Sequence, residues 1–201
     1  RNTARFILSN LYDFNPDTVN LDWKDLKKID KYILIKMKYQ LLPTLKDSFD
    51  CFDFYKAYKM IYDFCNEDLS MYYLDMVKGR LYTYAANSLE RRAAQTAIYE
   101  ALNILVRIMA PILAFTAEDI WQHMPKEKKD NSVASVHLLE WPVVTHLAGP
   151  SAADNIDYTN LTKVIFELIP DAAKALEEKR GQGVIGSSFD AKINLLTNNE
   201  E

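Results

Sequence analysis

The chain has 201 residues, 49% of them hydrophobic and 26% charged, with a net charge of −4. That is enough for one well-buried core and a small second unit. The acidic balance excludes a self-sufficient, strongly basic nucleic-acid binder, and no apolar run is long enough for a membrane span. The charge is uneven: residues 1–124 carry equal numbers of basic and acidic side chains, and the deficit falls in residues 125–201. RNA binding by the first part would therefore depend on a local patch. No secretory signal pattern opens the chain, and both ends read as cuts in a longer protein. Cys51 and Cys65 lie far apart without a CxxC motif, as expected of two free thiols in a cytoplasmic protein.

Up to residue 124 the apolar spacing is helical. A first helix is expected from Arg1 to about Leu11. A second runs from about Asp22 to Phe49, with a kink or break at Pro43. A third covers Asp53 to Leu81, bent near Asp68–Ser70, with Tyr58, Ile61, Tyr62, Cys65 and Leu69 as its apolar stripe. Asn87 or Ser88 caps a fourth, with Glu90 placed for a capping box. Its stripe of Ile98, Ala101, Leu102, Leu105 and Met109 recurs at helical spacing. Pro111 then punctuates the chain, and Thr116, three residues before Asp119, is expected to cap a fifth helix running to about Met124.

Beyond Pro125 the pattern changes. Residues 125–135 read as a polar loop, Val136–Pro142 as a short extended piece, and 143–157 as a linker. Asp157–Ile169 and Asp171–Arg180 are helical in pattern on either side of Pro170, and Gly181 and Gly183 end the second. Alternating Ala191, Ile193 and Leu195 predict a strand within Ile185–Leu196. The fold class is thus mainly α: a helical bundle over 1–142, a linker over 143–157, and a small α/β appendage over 158–201.

Catalytic constellations are sparse. No glycine-rich phosphate loop and no HExxH motif is present. Asp119 and His123 share one helix face, half of what a metal site needs, and are read as a helix end rather than ligands. Ser187 and Ser188 read as turn residues, because a nucleophile needs a base and an oxyanion pocket. Tyr72, Tyr73, Tyr82, Tyr84 and Trp121 lie close in sequence to Lys78, Arg80, Arg91 and Arg92. Aromatics interleaved with cations can stack unpaired bases while the cations hold phosphates, although aromatics at helical spacing are more often core. Arg1 and Arg5 share one helix face.

The strings DLSMYYLDMVKGRLYT (Asp68–Thr83), SLERRAAQTAIYEAL (Ser88–Leu102), RIMAPILAFTAEDIW (Arg107–Trp121) and SVHLLEWP (Ser135–Pro142) follow the opening RNTARFILSNLYDF (Arg1–Phe14) in fixed order. Together they resemble the anticodon-binding helical domain of the isoleucyl-tRNA synthetases, class I aminoacyl-tRNA synthetases. The tail ALEEKRGQGVIGSSFDAKINL (Ala175–Leu195) resembles the next part of those enzymes, so the likeness covers nearly the whole chain. The valyl and leucyl enzymes share the bundle, but the wording around Asp68–Tyr82 resembles the isoleucine enzyme. A purely structural or partner-binding bundle is the other reading.

The resemblance implies a non-catalytic piece that grips the anticodon stem-loop of an isoleucine tRNA while domains outside this chain carry out ATP-dependent aminoacylation. The HIGH and KMSKS signatures of the catalytic domain are not in this sequence. The fragment itself needs no cofactor; ATP and Mg would serve the parent enzyme, and zinc its C-terminal part. The resemblance places RNA contact first on Arg1, Asn2 and Arg5, then on Arg80, Arg91 and Arg92, with Trp121 chiefly core. Asp68, Tyr73 and Asp75 are expected to organise helix contacts. Ile169-Pro170-Asp171 departs from the uninterrupted helix expected there.

Overall fold

A computed structural model describes residues 1–19, 21–128, 130, 132–142, 168–187 and 190–194. The chain divides into two compact units, residues 1–155 and 156–201. The expected linker, the helical pattern over 157–167, His146 and Ser188 lie outside the described residues.

Among the described residues, seven α-helices build the first unit: α1 (Asn2–Asn10), α2 (Lys28–Ile35), α3 (Leu42–Asp50), α4 (Phe54–Asp63), α5 (Leu74–Thr83), α6 (Leu89–Met109) and α7 (Ala114–His123). The organising element is α6. It touches α1, α2, α5 and α7, and nearly every residue from Ala93 to Met109 is buried. A helix buried on nearly every side lies at the centre of a bundle, and this one is the shaft about which the others pack. Ser88 caps it, its hydroxyl accepting from the Arg91 N–H at 3.4 Å. With Ser88 as the cap, Glu90 falls one position short of a capping box and instead faces Lys27 at 3.9 Å.

Two stretches of wider, π-type winding replace the simple kinks expected from sequence. Lys36–Leu41 joins α2 to α3, and Phe64–Tyr73 joins α4 to α5. In each, the next N–H reaches back five residues, Leu42 to Met37 and Leu74 to Leu69. The first ends just before Pro43, which has no N–H and sits in the first turn of α3. The two wide segments are tied to each other by the Lys36–Asp68 ion pair. The expected second helix also starts later, after a single 3-10 turn at Trp23–Asp25.

The turn between α3 and α4 sets Phe52 at φ +58°, while the Asp53 N–H returns to the Ser48 carbonyl at 2.8 Å. This is a left-handed helix termination, normally occupied by glycine. Asp53 then caps α4 by accepting from the Lys56 N–H. The buried face of α4 is Ala57 and Ile61, continued by Phe64 at the start of the wide segment, whereas Tyr55, Tyr58 and Tyr62 are exposed. The expected stripe was therefore rotated: tyrosine is amphipathic, and periodicity alone counted it as core.

At the corner after α6, the Leu113 N–H closes onto the Met109 carbonyl at 2.7 Å and Pro111 sits exposed in the turn. α7 opens at Ala114 without a side-chain cap. Thr116 therefore lies inside the helix rather than capping it, because the turn itself delivers the chain in helical geometry. The piece Val136–Leu138 is a single 3-10 turn, not extended. Glu118 of α7 holds it, accepting from the Ser135 hydroxyl at 2.8 Å and the Val136 N–H at 3.0 Å.

In the second unit, α8 spans Ile169–Gly181, with Pro170 in its first turn. Its missing N–H is harmless there. Gly183 at φ +72° terminates the helix, and the Val184 N–H returns to the Lys179 carbonyl. Ala191–Asn194 have no regular structure, and no strand occurs among the described residues. The strand expected within Ile185–Leu196 is thus not seen over residues 190–194; a lone strand would have no partner to satisfy its backbone.

Candidate RNA-binding face

α1 packs Ala4 and Ile7, with Leu11 just beyond, into the core. Its other side presents Arg1, Asn2 and Arg5 to solvent. A groove of about 430 Å³ runs beside it, walled by Arg1, Arg5 and Leu8 on one side and by Thr116, Asp119 and His123 of α7 on the other. His123 Nδ1 lies 2.7 Å from the Asp119 carbonyl, so this pair is occupied within its own helix.

α1 is held by contacts that the sequence motifs supply. Thr3 shares a 2.8 Å hydrogen bond with Ser70 in the second wide segment. The exit of α1 is clamped to α6: Gln95 Nε2 donates to the Asn10 carbonyl at 2.8 Å and to Asp13 at 2.7 Å. Arg91 grips Asp13 with both terminal nitrogens, at 2.7 and 3.0 Å. Arg92 reaches the Asp13 carbonyl at 2.8 Å. The Arg91 hydrogen bonds hold the Asp13 carboxyl below the usual carboxylate range, against the opposing effect of burial.

Arg91 is only 4% exposed. Arg80 is likewise turned inward and binds Asp30 of α2 through two hydrogen bonds of 2.7 and 2.6 Å. Asp30 also accepts from the Tyr73 hydroxyl at 2.8 Å and the Lys27 N–H at 3.2 Å. Burial, reinforced by Asp30, pushes the Tyr73 phenol well up. Thus Arg80, Arg91 and Arg92, read from sequence as backbone contacts for RNA, each hold a carboxylate of the fold. Asp68 and Tyr73 do join helices, as expected; Asp75 is exposed and pairs only with Lys78 of its own helix.

Trp121 is 1% exposed. Its indole N–H meets the Val133 carbonyl at 3.4 Å, and Lys126 lies over the ring at 4.7 Å. It is a packing anchor with no face free for a base. Ser187, from the second unit, donates its N–H to Asp190, as a turn residue does.

The arginines now separate cleanly. Arg80, Arg91, Arg92, Arg107 and Arg180 each pair with a carboxylate. Arg1 and Arg5 make no such pair among the described residues. Unpaired guanidinium groups on a rigid helix are suited to phosphate or base edges. Sequence gave no signal for this division, since each carboxylate partner of the buried arginines lies far away in the chain.

Comparison with known proteins agrees with the architecture. An isoleucine–tRNA ligase from Caldanaerobacter subterraneus subsp. tengcongensis is 44% identical over 200 residues, covering 100% of this chain and 21% of its own length. Those from Natranaerobius thermophilus and Listeria monocytogenes serotype 4b are 40% and 38% identical, covering 96% and 100% of this chain. The chain spans about one fifth of the length of these relatives. Residues 30–195 match the family described as the anticodon-binding domain of tRNA ligase. With a helical bundle in place and that match over most of its length, the chain belongs to the anticodon-binding domain family of tRNA ligases.

Proposed function

We propose that this chain binds the anticodon stem-loop of an isoleucine tRNA through the exposed face of α1, with Arg1, Asn2 and Arg5 as the contacting residues. The observation that carries this reading is the contrast among arginines. Arg80, Arg91, Arg92 and Arg107 are held by carboxylates from other segments of the same unit, while Arg1 and Arg5 share one face of a helix pinned at both ends. Binding energy would come from charge-assisted hydrogen bonds to phosphate and loop edges, on a surface that loses little entropy because α1 is already fixed. The whole protein would be a cytoplasmic isoleucine–tRNA ligase in which other domains use ATP and Mg, with zinc in a C-terminal part. This piece would position the tRNA and perform no chemistry.

Fluorescence anisotropy with a labelled isoleucine-tRNA anticodon stem-loop, at about 0.15 M salt, tests the reading. A clear preference over a stem-loop of unrelated sequence is expected. Arg5→Ala should cost about 1–2 kcal/mol and lower the salt slope by about one counterion. Equal affinity for both stem-loops would remove the specificity, and an unchanged Arg5→Ala would take that residue out of the site.

A further inference from the structure

We propose that Tyr12 and Tyr82 form a stacking platform for unpaired bases of the RNA loop, arranged by the buried guanidinium of Arg91. The proposal rests on α1 being the RNA-binding helix.

Tyr12 stands two residues beyond α1 and is 80% exposed; Tyr82, in the last turn of α5, is 61% exposed. Each ring has one contact with the fold and leaves most of its surface to solvent, at adjoining helix ends. Their backbones are nonetheless fixed. Arg91 grips Asp13, the residue after Tyr12. Its Nε donates at 3.2 Å to the carbonyl of Leu81, the residue before Tyr82. A terminal nitrogen also donates at 3.0 Å to the Ala86 carbonyl in the following loop. One side chain therefore sets the exit of α1 and the exit of α5 together. The guanidinium lies 5.9 Å from the Tyr12 ring centre, and the Tyr82 ring stands edge-on to Phe6 of α1 at 6.4 Å.

The occupant follows from the chemistry of the same helix. Arg1 and Arg5, which make no carboxylate pair among the described residues, lie upstream of Tyr12, so cations and an exposed ring succeed one another along the stretch Arg1–Tyr12, with Tyr82 brought to its end by α5. Cations followed by stacking rings suit a polyanionic strand with splayed bases. A protein partner would instead call for a continuous apolar face, which α1 lacks.

The test uses the 201-residue chain and the isoleucine-tRNA anticodon stem-loop with 2-aminopurine placed at each loop position in turn. Wild type should change the fluorescence of at least one loop position on binding. Tyr12→Ala and Tyr82→Leu should each weaken stem-loop binding by about five-fold or more and abolish that change, whereas the Phe variants should keep both. Tyr82→Leu preserves an apolar contact with Phe6, and thermal melts of all variants should match wild type. Binding of the closed stem without its loop should not respond to either substitution. If wild type prefers the stem-loop but the Ala and Leu variants bind it equally well, the platform is wrong and the α1 reading stands. Equal weakening on stem and stem-loop would also overturn it. If wild type shows no preference for the stem-loop, the platform fails with the reading beneath it.

Discussion

Arg80 on α5 and Asp30 on α2 meet through two hydrogen bonds of 2.7 and 2.6 Å across 50 positions of sequence. Asp30 is fully buried and accepts from four donors in all, counting Tyr73 and the Lys27 N–H. The pair sets the spacing of two helices that flank α6. Removing one partner of a buried ion pair leaves the other without compensation, so loss of the guanidinium is the severe change. Arg80→Ala should destabilise the chain by about 3–5 kcal/mol in urea denaturation, and Tyr73→Phe by only about 1 kcal/mol. Equal effects would mean that the ion pair is not the dominant partner.

Asp13 should make stability depend on pH. Its folded carboxyl is held below the unfolded value of about 4 by Arg91 and Gln95. Such a group contributes stability that is full above the unfolded pKa and is lost as pH falls through the lower, folded pKa. Asp13→Asn should therefore be less stable than the parent at pH 7. The difference should shrink as the pH drops below about 4, when followed by thermal melting. A difference that is constant with pH would show that the charge on Asp13 is immaterial.

Phe52 occupies a left-handed position that favours glycine. Phe52→Ala and Phe52→Gly remove the same ring, which is exposed and touches Phe54 edge-on at 6.1 Å. The glycine variant should be the more stable of the two by about 0.5–1 kcal/mol, since relief of strain exceeds its added unfolded-state entropy. The reverse order in chemical denaturation would show that the turn relaxes to negative φ.

The two thiols should differ in reactivity. Burial pushes the Cys65 thiol up to about 11, while Cys51 is exposed. The thiolate is the nucleophile, so iodoacetamide at pH 8 should label Cys51 first under native conditions, as read by peptide mass spectrometry. Equal labelling would mean that the segment carrying Cys65 opens readily.

The sequence by itself determined the helical class, the placement of most helices and the family. These rest on local rules. α1 extends one residue less at each end than its pattern predicts, and α6 ends at Met109 as expected. Ser88 caps because the next residues are helical. The family motifs are legible because their residues hold one another in space: Asp68 holds Lys36, Ser70 meets Thr3, Glu118 holds Ser135. What only the tertiary structure decided is which polar groups are occupied. Arg91 and Asp13 are 78 positions apart, and no local pattern pairs them. Two local features escaped periodicity for other reasons: tyrosine counts as apolar yet tolerates water on α4, and the turn closed by Leu113 onto Met109 makes a cap at Thr116 unnecessary. Helix periodicity is a property of neighbours a turn apart, whereas the partner of a charge is set by how whole helices pack. For that reason the bundle could be read from the chain, while the separation of Arg1 and Arg5 from the arginines of the core could not.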